Sequence, residues 1–210
     1  MNYDQNYYDK VYGNYLKQSD YHIKLSKFYM YNIFECNGYQ LEGKKILDYG
    51  SGPGHLTLSV KADCYDISEY IRQHLKSVGR IVFSKPDEIV DATYDYIYNS
   101  HSLEHCSNPS EELGVFYHKL KGNGRLALIL PIEKIPGNFV YSQDIHKHLY
   151  CWNFQTITNL LIENGFIPEK QKVIYGPTGL TYFSNLTIVK TLGRLKKNFP
   201  SMLIIAKKRN

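Results

Sequence analysis

Apolar runs of strand length alternate with amphipathic stretches through the middle of the chain, from Lys44 to Leu130. This alternation predicts a mostly parallel sheet covered by helices, because each crossover between parallel strands takes a helix-sized connection. Two more apolar runs near the C-terminus complete a set of seven strands. The predicted strands are Ile46–Asp48, Cys64–Asp66, Arg80–Phe83, Asp95–Tyr98, Arg125–Leu130, Ile167–Tyr175 and Met202–Lys207. The pattern therefore predicts the α/β fold class.

The first 43 residues differ in character from the rest and are predicted to form a helical cap (1–43) on the core (44–210). Apolar groups at helical spacing predict a helix over Tyr21–Phe34, which we expect to pack against the sheet. Tyrosines crowd the segment Tyr3–Tyr15. Two roles are open for these tyrosines: a lid that folds over a ligand, or aromatic packing of a surface helix.

Three more helices are predicted, near Ser110–Leu120, Asn153–Glu163 and Leu186–Lys196. The last of them lies in an apparent insertion, 176–200, between the final two strands, and we interpret it as a substrate cover or an oligomer contact. Pro131–Asp144 is predicted to be a loop that forms a wall on the substrate side. A length of 210 residues predicts a single domain.

A glycine-dense loop, Asp48-Tyr49-Gly50-Ser51-Gly52-Pro53-Gly54, follows the first predicted strand. Glycine suits a backbone that approaches a ligand closely, because a Cβ would block that approach or forbid the conformation. The dinucleotide fingerprint G-x-G-x-x-G is not matched, since its third glycine would fall at His55. A P-loop would end in Gly-Lys-Ser/Thr, which is absent. Asp66, at the tip of the second strand, is placed where a ribose diol is usually held. The loop therefore predicts an adenosine-containing cofactor.

The pattern Asp48-x-Gly50-x-Gly52-x-Gly54 resembles motif I of the class I S-adenosyl-L-methionine (SAM)-dependent methyltransferases. The segment Ser100-His101-Ser102-Leu103-Glu104-His105 resembles the Leu-Glu-His signature of many small-molecule methyltransferases in that family. The resemblance runs from Lys44 to Ile174, and it implies a Rossmann-like fold with SAM as cofactor. In the family the glycine loop passes under the methionine part of SAM, and the acid after the second strand holds the ribose. The implied cofactor-binding residues are Asp48, Gly50, Ser51, Gly52, Gly54, Asp66, Ile67, Asn99, Ser100, His101 and Tyr12.

The chain departs from the family pattern in one respect. From Asp48 to Asp66 there is less room than the usual spacing of about 20 residues between loop and acid allows. The first helix of the core, near His55–Lys61, is therefore predicted to be shorter by about one turn.

Methyl transfer needs an acceptor held in line with the methyl group, and a hydroxyl acceptor also needs a base. Asp144, His146 and His148 share one face if their segment is extended, so that the carboxylate can orient a histidine base. We expect His148 to be the base, because the family resemblance falls on His148-Leu149-Tyr150; packing over the sheet edge or helix capping is its alternative role. His105 is a second catalytic candidate. The Asp144, His146 and His148 triplet also fits a 2-His-1-carboxylate metal centre, but one short segment would have to supply every ligand, so no metal is predicted.

The formal net charge of +5 adds little to this picture. The basic residues near the C-terminus would suit either a phosphate-bearing partner or a solvated helix face, and we favour the solvated helix face. Nucleic acid is not an expected partner, because such proteins usually carry a clustered basic stripe. Scattered cysteines without a C-x-x-C pair indicate reduced thiols, and no apolar stretch approaches the length of about 20 residues that crosses a bilayer. We therefore expect a cytoplasmic protein without a membrane partner.

These observations predict a SAM-dependent methyltransferase that acts on a hydroxyl of a small molecule: a sugar, a nucleotide-linked sugar or another phosphorylated metabolite. An RNA or protein methyltransferase is an alternative. Against it, the fourth strand ends in Asn99-Ser100-His101, which is not the Asp/Asn-Pro-Pro-aromatic motif of amino-methylating nucleic-acid enzymes. A SAM-binding protein without catalysis is the other alternative. The oligomeric state is not assigned.

Overall fold

The structure is a computed structural model that describes residues 3–16, 19–133 and 147–209. Its strands are β1 (Ile46–Tyr49), β2 (Ala62–Tyr65), β3 (Val82–Phe83), β4 (Tyr94–Ser100), β5 (Leu120–Pro131), β6 (Phe166–Ile174) and β7 (Ser201–Lys208). They form a seven-stranded sheet in the order β3-β2-β1-β4-β5-β7-β6. Strand β7 is antiparallel to β5 and β6, whereas the other neighbours pair in parallel. The predicted Rossmann-like, mostly parallel sheet is thus confirmed.

Six α-helices accompany the strands: α1 (Gln5–Tyr12), α2 (Asp20–Ile33), α3 (Glu69–Ser77), α4 (Pro109–Lys119), α5 (Phe154–Glu163) and α6 (Leu186–Leu195) within the described ranges. Their starts follow ordinary capping chemistry. The Asp4 carboxylate accepts a hydrogen bond from the N–H of Tyr7, and Asn153 and Thr156 bond each other's backbone as a capping box. Such caps satisfy N–H groups that have no partner inside the helix. None of these helices is both long and apolar enough to cross a bilayer.

The hydrophobic core lies on both faces of the sheet, because side chains alternate between the faces along each strand. Along β5, Leu128 packs in the cluster that contains Phe116 of α4 and Leu161 of α5. Its neighbour Ile129 packs in the opposite cluster, which contains Ile33 of α2. Helix α2 therefore packs against the sheet, as its apolar spacing predicted.

The prediction of a truncated first core helix needs a correction. Residues His55–Thr57 form a single 3-10 turn instead of a shortened α-helix over His55–Lys61. Gly54 enters this turn with a φ of 70°, and β2 already begins at Ala62. The few residues between these two points cannot complete an α-helix.

The 176–200 segment carries α6, which packs on α2 through a cluster that joins Val189 to Phe28. The hydroxyl groups of Tyr31 and Thr187 add a hydrogen bond of 2.8 Å between the same two helices. The segment is therefore attached to the helical cap. Most of the loop predicted over Pro131–Asp144 lies outside the described residues.

Candidate active site

The glycine loop lies at the carboxyl end of β1, where the strand order reverses between β1 and β4. Open α/β sheets bind ligands at such a position. Gly50, Gly52 and Gly54 have φ angles of 74°, 50° and 70°, which residues with a Cβ rarely adopt. The N–H groups of Gly50 and Ser51 donate to the carbonyl of Tyr65 at 2.8 and 3.0 Å. These bonds hold the loop against the end of β2.

Two of these glycines have different steric surroundings. A Cβ on Gly50 would lie 2.2 Å from Oγ of Ser102, so the loop packs directly on the segment after β4. A Cβ on Gly52 would meet no atom within 4 Å. Gly50 is therefore required for packing, and Gly52 leaves its backbone open to a ligand.

Asp66 follows β2 directly and is only 5% exposed. Its Oδ2 accepts from the N–H of Gly52 at 2.9 Å, and its Oδ1 accepts from the N–H of Ser68 at 2.8 Å and the Tyr8 hydroxyl at 3.4 Å. Burial raises the pKa of this carboxyl, and the three donors oppose the rise. A carboxylate offers about four acceptor positions, so Asp66 retains capacity for a ligand hydroxyl.

Asp48 lies below the loop and is 2% exposed. Its Oδ2 accepts from the Thr57 hydroxyl at 2.6 Å, and Nη2 of Arg80 donates to the same Thr57 oxygen at 3.0 Å. Burial raises the pKa of Asp48 to about 6, because the Thr57 bond and the Arg80 charge offset the desolvation only in part. This chain of contacts fixes the base of the loop.

A cavity of about 530 Å³ opens beside the loop, within the range of about 300–1,000 Å³ common for small-ligand sites. One side of it is formed by aromatic residues from the N-terminal segment, which we call the tyrosine wall: Tyr3, Tyr7, Tyr8, Tyr12 and Tyr15. The rings contact one another, as in the edge-to-face pair of Tyr7 and Tyr8 with centroids 5.2 Å apart. The cavity thus combines aromatic faces with polar groups from the strand ends.

His55 packs against the tyrosine wall, with its ring centroid 4.3 Å from that of Tyr15. Burial, together with the nearby His22, lowers the pKa of His55 to about 3. The imidazole is therefore neutral at physiological pH. His55, which stands where the dinucleotide fingerprint has its third glycine, adds no charge to the loop.

Most of the residues predicted for the site line this cavity: Tyr12, Asp48, Gly50, Ser51, Gly52, Asp66, Ile67, Ser100, His101 and His105. Gly54 and Asn99 do not line it. Asn99 is 1% exposed, and its Nδ2 donates to the carbonyl of Tyr49 at 2.8 Å, so it joins β4 to β1. Asp144 and His146 lie outside the described residues.

His148 does not line the cavity and lies behind His105, which does. The two rings meet edge to face, with centroids 4.8 Å apart and an interplanar angle of 70°. Nδ1–H of His148 donates to the carboxylate of Glu133. On its other side, Nε2 of His148 is 4.0 Å from Oε1 of Glu104. A carboxylate therefore orients His148, and it belongs to Glu133, a residue that the sequence analysis did not identify.

Other cavity residues were also missed by the sequence analysis. They include Ser102, Cys106, Ser107, Glu112, Pro177 and Phe199. Ser102, Cys106 and Ser107 lie in or beside the Leu-Glu-His segment, so they could have been predicted from their proximity to that motif. Glu112 on α4 and Phe199 before β7 reach the cavity only through tertiary packing.

Comparisons with known proteins identify the family. A family model described as a methyltransferase domain matches residues 21–171, and the chain belongs to this family. A search of curated proteins finds no match.

Several solved structures are similar in fold. One is a chain of the complex between the Haloferax volcanii Trm112 methyltransferase activator and a methyltransferase, with a TM-score of 0.70, 15% identity and 100% of each chain covered. Another is the Burkholderia thailandensis 1,6-didemethyltoxoflavin-N1-methyltransferase with bound S-adenosylhomocysteine, with a TM-score of 0.62, 14% identity, and 98% of this chain and 84% of that chain covered. A SAM-dependent methyltransferase from Archaeoglobus fulgidus gives a TM-score of 0.60 at 18% identity, with 99% and 100% covered. The fold is therefore that of the class I SAM-dependent methyltransferases.

The chain is thus a member of a methyltransferase-domain family, and the fold that it shares with SAM-dependent enzymes implies SAM as the cofactor. The residues of the cavity fit that group. The backbone at Gly52 has open space beside it for a ligand, and the Asp66 carboxylate can accept a further hydrogen bond from a ribose hydroxyl. The faces of the tyrosine wall suit the positive sulfonium, because aromatic faces attract cations.

Proposed function

We propose that the chain transfers the methyl group of SAM to a hydroxyl of a small molecule bound in the same cavity. The observation that carries this proposal is the pair of His105 and His148 at the cavity edge, with Glu133 bonded to the second histidine. SAM supplies an electrophilic methyl group, so the protein has to position the acceptor and accept its proton.

In this proposal the proton of the acceptor hydroxyl passes to the histidine pair. His105 borders the cavity and contacts the acceptor, while His148 is the base behind it. The bond from Nδ1–H of His148 to Glu133 fixes the ring orientation and stabilises the protonated imidazole. We also propose that Gly50, Ser51, Gly52 and Asp66 hold the cofactor on the opposite side, so that acceptor and donor meet between them.

The character of the cavity favours a small acceptor with an apolar or planar face. SAM would fill only part of the 530 Å³ cavity, so ring faces of the tyrosine wall would remain for the acceptor as well. No Lys or Arg is found among the lining residues that the structure describes. These residues therefore give no support for a phosphorylated acceptor, and we propose an uncharged one.

Methylation of an amine is a second candidate. The names of the similar structures include N-methyltransferases for 1,6-didemethyltoxoflavin and for phosphoethanolamine. A neutral amine acceptor has its own lone pair and needs less help from a base. The role of the histidine pair therefore separates the two candidates.

The test measures S-adenosylhomocysteine release with a panel of small hydroxyl and amine acceptors. His105→Ala and His148→Ala should each lower turnover with a hydroxyl acceptor by ~10²–10⁴, the usual effect of losing a general base. Calorimetry should show unchanged S-adenosylhomocysteine affinity in both variants. The exposed His118 on α4 supplies a matched control, and His118→Ala should have wild-type turnover.

The pH dependence gives a second readout. In His148→Ala the acidic limb of the pH–rate profile should disappear, because the group that must be deprotonated is gone. Near-normal turnover in both histidine variants would contradict the proposal, as would a panel in which only amines are methylated. Loss of S-adenosylhomocysteine binding together with activity would show that the histidines are structural.

A further inference from the structure

Three side chains with metal-binding groups converge at the edge of the cavity. Glu104 and His105 come from the turn after β4, and His148 comes from the segment before α5. One ligand atom from each of the three lies within 4.8 Å of the other two. We propose that this Glu104–His105–His148 cluster binds a divalent transition-metal ion.

Glu104 is the first argument for a cation. Its side chain is 0% exposed, and neither carboxylate oxygen accepts a hydrogen bond from the residues that the structure describes. Among the described residues, the basic groups close to it are Nδ1 of His101 at 3.6 Å and Nε2 of His148 at 4.0 Å. A buried carboxylate is costly unless it is hydrogen-bonded, paired with a positive charge or coordinated to a metal. A divalent cation between Glu104 and the histidines would provide that positive charge.

The contact between Glu133 and His148 is the second argument. Nδ1–H of His148 donates to the Glu133 carboxylate, so Nε2 is the nitrogen directed at Glu104. Metal-bound histidines commonly donate their other ring N–H to a carboxylate, which fixes the tautomer and makes the ligand nitrogen more basic. The cluster therefore contains a ligand together with the outer partner that a ligand of this type uses.

The ligand set indicates which metals suit the cluster. Two imidazoles and one carboxylate are typical of zinc and of other first-row transition metals, whereas Mg²⁺ and Ca²⁺ favour oxygen ligands. Bonds of about 2.0–2.2 Å require the ligand atoms to be closer together than 4.8 Å. Metal binding therefore requires the three side chains to move closer together than they are in this structure.

The position of the cluster gives the cation a consequence that rests on the proposed function. His105 lines the cavity, so a bound cation lies at the acceptor side. Coordination lowers the pKa of a metal-bound hydroxyl. With a cation bound, His148 would be its ligand through Nε2, and the cation would take over the role of promoting deprotonation.

The experiment uses the full chain after chelator treatment, and Zn²⁺ and Co²⁺ are the probes. Calorimetry should show one equivalent of Zn²⁺, and Co²⁺ should give the visible absorption of a four- or five-coordinate site. Glu104→Gln and His148→Gln should each weaken Zn²⁺ binding by about 10-fold or more. His118→Ala on the exposed face of α4 is the matched control and should bind as the wild type does.

S-adenosylhomocysteine binding in every variant reports whether the fold survives. Added Zn²⁺ should also raise the melting temperature of the wild type and not that of Glu104→Gln. Weak or non-stoichiometric Zn²⁺ binding, or binding that both cluster variants retain, would overturn the metal site. Hydroxyl methylation by chelator-treated protein would leave the proposed function intact in that case. Conversely, stoichiometric metal binding without hydroxyl methylation would count against the proposed function alone.

Discussion

Replacing His55 should make the ligand-free protein less sensitive to acid. The folded pKa of His55 is lowered to about 3 from an ordinary value of 6.5, because the ring is buried and lies near His22. Between these two pH values the unfolded chain binds a proton that the folded protein does not. Stability is therefore lost as the pH falls through this window. From pH 7 to pH 5 the loss due to this one group is about 2 kcal/mol.

Asp48 acts in the opposite direction. Burial raises its folded pKa to about 6 from 3.8, so the folded protein binds the extra proton as the pH falls. The same calculation gives a gain of about 1 kcal/mol from pH 7 to pH 5. The contributions of His55 and Asp48 to the pH dependence of stability partly cancel in the wild type. A weak pH dependence of the wild-type protein would therefore conceal both contributions.

The assay is urea or thermal unfolding of wild type, His55→Phe and Asp48→Asn at pH 5 and pH 7. Phenylalanine keeps a ring against Tyr15, whose centroid lies 4.3 Å from that of His55. Relative to wild type, His55→Phe should gain about 2 kcal/mol on going from pH 7 to pH 5, or about 4–8 °C in melting temperature. Asp48→Asn should change with the opposite sign. His55→Phe with the same pH dependence as wild type would refute the argument that His55 is buried in its neutral form.

Three further predictions concern the cofactor side of the cavity. Asp66→Ala should weaken SAM binding by ~1–3 kcal/mol in calorimetry, through loss of charge-assisted hydrogen bonds; unchanged affinity in both Asp66→Ala and Gly52→Val would show that the site is elsewhere. Hydrogen exchange over Tyr3–Leu16 should slow when S-adenosylhomocysteine is added, because the tyrosine wall lines the cavity; equal exchange would leave only the packing role. Gly50→Ala should destabilise the protein by about 1–3 kcal/mol in urea unfolding, since its Cβ would lie 2.2 Å from Oγ of Ser102. Ser102→Gly in the same chain should recover part of that loss, and no recovery would show that backbone strain is the cause.

Local patterns along the chain were sufficient to identify the fold and to place the glycine loop at the end of β1. Strand periodicity and loop glycines depend on interactions between near neighbours, so β1 and β4 were predicted to within two residues, whereas β5 begins five residues earlier than predicted. The acid Asp66 was found in the same way, because the end of a strand next to a glycine loop is recognisable from spacing. The helix over His55–Lys61 was wrong because the left-handed backbone of Gly54 and the early start of β2 leave no room for it.

The arrangement of the acceptor side depended instead on contacts between segments that are far apart in the chain. His148 was the preferred base from its motif, but the packing of the segment before α5 places it behind His105. The carboxylate on its Nδ1 comes from Glu133, and Asp144, predicted for that role, lies outside the described residues. The Leu-Glu-His motif drew attention to Glu104, but nothing in the sequence indicated that its side chain is completely buried. Such burial and side-chain direction arise when separate elements pack together, and spacing along one segment does not contain that information.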